Sequence, residues 1–270
     1  MIQSDRAIEA MTEKEFHSEF LSFQKDLKSY LLRILGNKQD SEDLSQDAYI
    51  KASQKISSFK GNSTLKTWVF SIATNLARDH FRGKQRWSVD CMTNAADHAK
   101  ATPELMHRLF EVSEKSPAGK MEIKEHIDFC FTCIGKTLPI ENQIALILKD
   151  IYNFKVAEIM QIMDLSEGKV KHAIADARNM LIHIFDRKCA LVSKTGACYQ
   201  CSELNGILNP KQNQQEEIMK VKMAAEAKAG LSNDRLYQMR AELIQTIDPL
   251  NAQGSDLHNY FLELMPHYSK

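Results

Sequence analysis

Apolar positions recur along this chain every three to four residues, and no sustained run alternates with the period of two that a half-buried strand requires. Between positions 14 and 36, Phe16, Phe20, Phe23, Leu27, Tyr30, Leu31 and Ile34 fall on one helical face, and Gly36 with Asn37 ends the run. The next segment, residues 40–56, takes Asp40 or Ser41 as its cap and carries acids in its first turn, where the helix dipole favours them. A third helix is predicted from about Thr64 to Arg82. Residues 88–120 are polar and interrupted by Pro103, Pro117 and Gly119, the pattern of a flexible linker carrying one short helix. Helical period returns near Lys120. One segment stops before Leu138 and Pro139, a second near Asn153, a third is short (156–165), and a long one opens at Ser166 and Glu167. A short helix, a turn and a longer helix form the pattern of a helix-turn-helix whose second helix enters the DNA major groove, although purely structural helical hairpins share it.

Composition agrees with an all-α fold. Ten glycines and six prolines leave few breaks in 270 residues, and 43% hydrophobic residues can supply a real core, which excludes fibrous and wholly disordered classes. Lys plus Arg equal Asp plus Glu at 35 each, so any nucleic-acid signal must be local. The charge-dotted N-terminus lacks the apolar run of a signal peptide, and no stretch is long enough to span a membrane, so a cytoplasmic protein is expected.

The local signal lies in two neighbouring helices of opposite sign. Residues 40–50 hold Asp40, Glu42, Asp43 and Asp47 with no Lys or Arg, whereas residues 60–86 hold Lys60, Lys66, Arg78, Arg82, Lys84 and Arg86 against the single acid Asp79. Arg78, Arg82 and Arg86 share one helix face. That spacing suits a phosphate track, and equally a solvated basic face over the apolar positions Trp68, Phe70, Ile72, Ala73, Leu76 and Ala77. The polar loop FKGNST (59–64) heads this helix and could cup an unstacked base.

The run DSEDLSQD (40–47), the loop and helix start FKGNSTLKTW (59–68) and IATNLARD (72–79) together resemble region 2 of bacterial RNA polymerase sigma factors of the extracytoplasmic-function group. LPIENQIALILKDIYNFKVAEIMQIMDLSEGKVKHAIADAR (138–178) resembles region 4 of the same group, in the right order and at the right separation. The resemblance implies two small helical domains, region 2 at 12–87 and region 4 at 121–188, joined by the linker 88–120 and followed by an extension at 189–270. It implies a factor that directs core RNA polymerase to promoters and starts transcription, with no catalytic residues and no membrane partner. A separate anti-sigma protein is a further partner that it suggests. Asp43, Gln46, Asp47 and Ile50 would dock on the polymerase as a polar rim around a small apolar anchor. Lys60, Gly61, Asn62 and Ser63 would take a base flipped from the −10 element, with Trp68, Asn75, Arg78, Asp79 and Arg82 positioning the non-template strand. Melting costs roughly 1.4 kcal/mol per base-pair step and each captured base returns about 1 to 3 kcal/mol, so a few pocketed bases offset a short bubble. Ser166, Glu167, Lys169, Val170, Lys171, His172 and Arg178 would face the −35 element, with packing as the competing role of Val170.

The extension, about 80 residues, contains Cys198-Tyr-Gln-Cys201, with Cys189 nine residues upstream. Cys130 and Cys133 form a second C-x-x-C on one helix, so these four thiolates could hold zinc, with Cys189 and His183 as alternative ligands. Buried apolar thiols are the plain alternative for Cys130 and Cys133, and Cys91 is expected to be unligated. A thioredoxin-like reading lacks the βαβ context it needs. After Pro210 the chain is expected to form amphipathic packing helices. A second functional class stays open at this point: a metal-sensing or redox-sensing helix-turn-helix regulator that does not melt DNA. The acidic helix and the base-cupping loop speak for the first class, because a conventional regulator needs neither.

Overall fold

The computed structural model describes residues 11–115, 123–188, 232–251 and 255–269. Among these the fold is all-α. Helix α1 (Glu13–Leu35) opens on a reciprocal capping box in which the Thr12 side chain accepts from the Glu15 N–H and Glu15 reaches back to the Thr12 N–H. It closes on Gly36, whose left-handed φ of 67° turns its N–H onto the Leu32 carbonyl. Helix α2 (Lys38–Gln54) starts earlier than the expected Asp40 or Ser41, because the Asn37 side chain accepts from the Asp40 N–H at 2.9 Å. Its inward residues Ser41, Ser45, Ala48 and Ala52 are small and buried, which lets it lie close against α1. Helix α3 (Leu65–Phe81), capped by Thr64, completes a three-helix body around Phe16, Phe20, Phe23, Leu27, Tyr30 and Phe70. Inside it the Tyr30 and Thr74 hydroxyls share a 2.7 Å hydrogen bond.

The segment expected as a flexible linker with one helix contains two, α4 (Cys91–Ala101) and α5 (Pro103–Lys115). Pro103 reads as a breaker in sequence but occupies the first position of α5, where no N–H is needed for the ladder. The second body is built from α6 (Ile123–Gly135), α7 (Ile140–Leu146) running on through a wider π turn (Ile147–Ile151), α8 (Val156–Met163) and α9 (Glu167–Lys188). Beyond it lie α10 (Asn233–Gln245) and α11 (Ser255–Leu264). The amphipathic segment expected at 212–230 falls outside the described residues. No helix among those described is long and apolar enough to cross a membrane.

The two bodies are not beads on a string. Tyr152 and Phe154, which follow the π turn, pack into the first body, with ring centroids 5.8 Å from Tyr30 and 5.0 Å from Phe70 respectively. A single apolar cluster therefore runs from Phe16 to Met265 among the described residues.

Candidate nucleic-acid and polymerase interfaces

Burying the small residues of α2 turns Asp43, Gln46, Asp47 and Ile50 to solvent on a common face. Asp43 accepts from Gln39 Nε2 at 2.8 Å, and Ile50 is 42% exposed, an apolar side chain left uncovered beside carboxylates. This face suits docking on a basic protein surface with a small apolar socket.

The loop at 59–64 projects from the same body. Lys60, Gly61 and Asn62 are exposed and Ser63 is half-buried. Gly61 has a φ of 67°, a conformation that only a residue without Cβ adopts cheaply. At its base Phe59 and the half-buried Trp68 pack with centroids 5.2 Å apart, an aromatic wall next to polar groups. On α3, Asn75, Asp79 and Arg82 are exposed, and Arg82 reaches Asp79 at 2.6 Å.

Arg78 is where the structure departs furthest from a bare phosphate track. Its guanidinium faces the second body: Nε and Nη2 donate to the two Glu141 oxygens at 2.9 and 2.6 Å, and Nη2 also donates to the Met163 carbonyl at 2.9 Å. Glu141 lies in the first turn of α7, and the Met163 carbonyl is one of the free acceptors at the end of α8. Arg86 is drawn in too, donating to the Leu138 and Gly135 carbonyls at 2.7 and 3.1 Å and to the Gln143 side chain. Its burial pulls the guanidinium down to about 10. Of the three arginines on the predicted stripe, only Arg82 stays at the surface.

The helix-turn-helix is formed by α8 and α9, with Asp164 in the left-handed region between them. The first turn of α9 closes on Ser166 through the Val170 N–H. Ser166, Glu167, Lys169, Lys171 and His172 are exposed, and Lys171 pairs with Glu167 at 2.6 Å. That hydrogen bond lowers the Glu167 pKa from its ordinary value. Two expected DNA contacts need correction. Val170 is fully buried on the inward face with Ala173, Ile174 and Ala177, because the i, i+3, i+4, i+7 spacing puts it on the packing stripe. Arg178 is engaged by Asp150: Nε donates at 2.9 Å and Nη2 to the other oxygen, and this hydrogen bonding raises its pKa.

Cys130 and Cys133 are buried on α6 beside Phe131 and Ile134, surroundings that suit packed apolar thiols. Cys91 is buried as well. His183 is exposed, while Cys189, Cys198 and Cys201 lie outside the described residues. Among the described residues no group of three or more His, Cys, Asp or Glu side chains is placed to hold a metal.

Sequence reasoning missed Arg33. It interrupts the apolar end of α1 and is only 2% exposed. Nε donates to Asp128 at 3.1 Å, Nη1 to the Tyr152 hydroxyl at 2.8 Å, and Nη2 to the carbonyls of Ile244 and Ile247 at 3.3 and 3.0 Å. Burial opposes its charge, but Tyr152 and Asp128 outweigh that and the pKa ends above its ordinary value. An arginine within a run of Leu and Ile was the available signal, since a buried cation demands acceptors.

Comparison with known proteins matches the same blocks. The model of sigma-70 region 2 covers residues 20–87, and that of sigma-70 region 4 covers residues 130–181. The chain is 26% identical over 161 residues to the RNA polymerase sigma-H factor of Pseudomonas aeruginosa, an alignment covering 60% of this chain and 81% of the relative. It is 28% identical over 171 residues to the ECF RNA polymerase sigma-E factor of Escherichia coli K12, covering 63% and 85%. The ECF sigma factor SigM of Bacillus subtilis is 27% identical over 165 residues, covering 61% and 91%. The chain carries sigma-70 regions 2 and 4 and is similar to ECF sigma factors. It directs RNA polymerase to promoters for transcription initiation, and the conventional-regulator reading is not favoured. A solved structure of the sigma factor RpoE in complex with the anti-sigma factor NepR from Bartonella quintana aligns with this sigma factor at 21% identity and a TM-score of 0.45, covering 64% of this chain and 98% of that one.

Proposed function

We propose that the two faces divide the work of a promoter-specificity subunit that acts in the cytoplasm and has no chemistry of its own. Asp43, Gln46, Asp47 and Ile50 hold core polymerase. The 59–64 loop with Trp68, Asn75, Asp79 and Arg82 handles the −10 strand, joined by Arg78 once it is released from Glu141. Ser166, Glu167, Lys169, Lys171 and His172 read the −35 element. The observation that carries this reading is the pairing, in one chain, of an exposed acidic helix with an uncovered Ile50 and a helix-turn-helix whose second helix shows its lysines to solvent. An anti-sigma protein would compete for those surfaces, and zinc held by Cys198 and Cys201 with Cys130 and Cys133, or with Cys189 and His183 as alternative ligands, completes the proposal.

Run-off transcription with purified core polymerase on a genomic promoter library tests it. Added chain should produce discrete transcripts from a subset of promoters, and a reaction indistinguishable from core alone would overturn the assignment of roles. Metal analysis of the same reduced preparation should give one zinc per chain, lost in the variant with Cys198→Ser and Cys201→Ser. A zinc-free, folded wild-type chain would remove the metal from the proposal.

A further inference from the structure

We infer that residues 232–251 are an intramolecular clamp that holds regions 2 and 4 shut and keeps free sigma factor from promoter DNA. The inference rests on the promoter-factor reading and adds its regulation.

Three observations converge on it. First, α10 packs on region 4 through Tyr237, Ala241 and Ile244, all buried. Tyr237 donates its hydroxyl proton to Asp150 Oδ2 at 2.7 Å, Gln245 Nε2 donates to the Asp150 carbonyl at 2.7 Å, and the Arg240 guanidinium lies 3.6 Å over the Phe185 ring of α9. Second, the residues that follow reach across to region 2. The Ile244 and Ile247 carbonyls accept from Arg33 of α1, and Asp248 pairs with Lys25 of α1 at 2.8 Å. A segment 211 and more residues downstream in sequence thus bridges the first helix of region 2 to the second and last helices of the region 4 body. Third, the closure it bridges occupies DNA-binding groups, since Arg78 is tied to Glu141 and Met163.

Geometry then makes closed and promoter-bound states exclusive. Elements named −10 and −35 are separated by roughly 25 nucleotides, or about 85 Å of duplex at ~3.4 Å per base pair. The longest described helix, α1 with 23 residues, spans only about 35 Å, and here α3 of region 2 touches α8 of region 4 directly. The closed body cannot lay both reading surfaces on their elements together. The polymerase-docking face of α2 stays exposed in this state. Closure therefore imposes an order: polymerase docks first, the clamp opens, and promoter contacts follow.

The test uses the full chain with Tyr237→Phe, Arg240→Ala and Gln245→Ala combined, and separately Asp248→Lys, a change at a partly exposed position that sets like charges opposite Lys25. Small-angle scattering of the free proteins should show a compact wild type and a larger radius of gyration for both variants. Free-protein affinity for a duplex spanning both elements of a promoter recovered by run-off should rise about tenfold, because apparent affinity scales with the fraction of open molecules. Run-off activity with saturating core polymerase should be unchanged. Variants that keep wild-type radius and bind DNA no tighter would overturn the clamp, as would a wild type that is already extended. Should the triple variant lose helical signal, Asp248→Lys decides by the same criteria. If no form of the chain stimulates core polymerase, the promoter-factor roles fail, while the scattering comparison still judges the clamp by itself.

Discussion

Lys136 shows what one buried charge does to this molecule. Its ammonium donates to the Leu35 carbonyl and sits 5.5 and 5.0 Å from the centroids of Phe81 and Trp87, held between region 2 and region 4. Burial, ahead of the nearby Arg86, pulls its pKa down from 10.5 to about 8. A base whose folded pKa is depressed binds fewer protons when folded than when unfolded between those two values, so stability climbs with pH across that window and is lost as pH falls towards 8. At 1.36 kcal/mol per unit, roughly 2 kcal/mol of stability should appear between pH 7.5 and 10 from this residue. Lys136→Met should abolish that part of the slope. Urea unfolding of both proteins at the two pH values checks it, and parallel pH profiles would show that the lysine does not titrate in this way. Neither this lysine nor Arg33 announces its partners in sequence. Arg33 lies among apolar neighbours, which signals burial, whereas Lys136 stands between Gly135 and Thr137 with no such signal, and the acceptors of both come from residues about 100 to 200 positions away.

Helices were more legible than their ends. The aromatic stripe of α1 and the acidic face of α2 follow from spacing alone, because a period of 3.6 fixes which side chains share a face whatever they pack on. Caps were harder to place: Asn37 competes with Asp40 and Ser41 as acceptor, and only backbone geometry decides among them. Val170 shows the same limit on α9, where the spacing that seats it in the core also puts Lys169 and Lys171 outside. At this scale the acidic face makes its own prediction. Reversing Asp43 and Asp47 to Lys leaves the buried side of α2 untouched, so helical content and melting should change little. Affinity for core polymerase should fall by tenfold or more, chiefly through slower association, as charge complementarity governs encounter. Binding kinetics at two salt concentrations measure this. An unchanged association rate would mean that polymerase grips some other surface.

Two independent domains on a flexible tether are what the chain's polar middle segment suggests, and the packed molecule differs because apolar faces left over on each body find one another. Hydrophobic pattern identifies a face that must be covered. It does not say by what. Tyr152 and Phe154 look like the end of a region 4 helix in sequence, yet they complete the core of region 2: Phe154 stacks at a tilt on Phe70, and the Tyr152 hydroxyl lies 2.6 Å from Ser29 and accepts from Arg33. Burial pushes the Tyr152 hydroxyl up to about 12, so it stays protonated at any physiological pH. Cores shared in this way couple stabilities, since opening one body exposes the other's apolar surface. Phe154→Ala removes a buried ring from region 4 at a cost of about 3 to 5 kcal/mol if the site does not collapse. Amide exchange should then accelerate in α3 of region 2 as well as in α8, although no residue of α3 has been altered. Hydrogen-exchange mass spectrometry on the full chain reads both helices in one experiment. Acceleration confined to residues 140–188 would mean that the bodies open independently and that their shared ring cluster contributes no coupling.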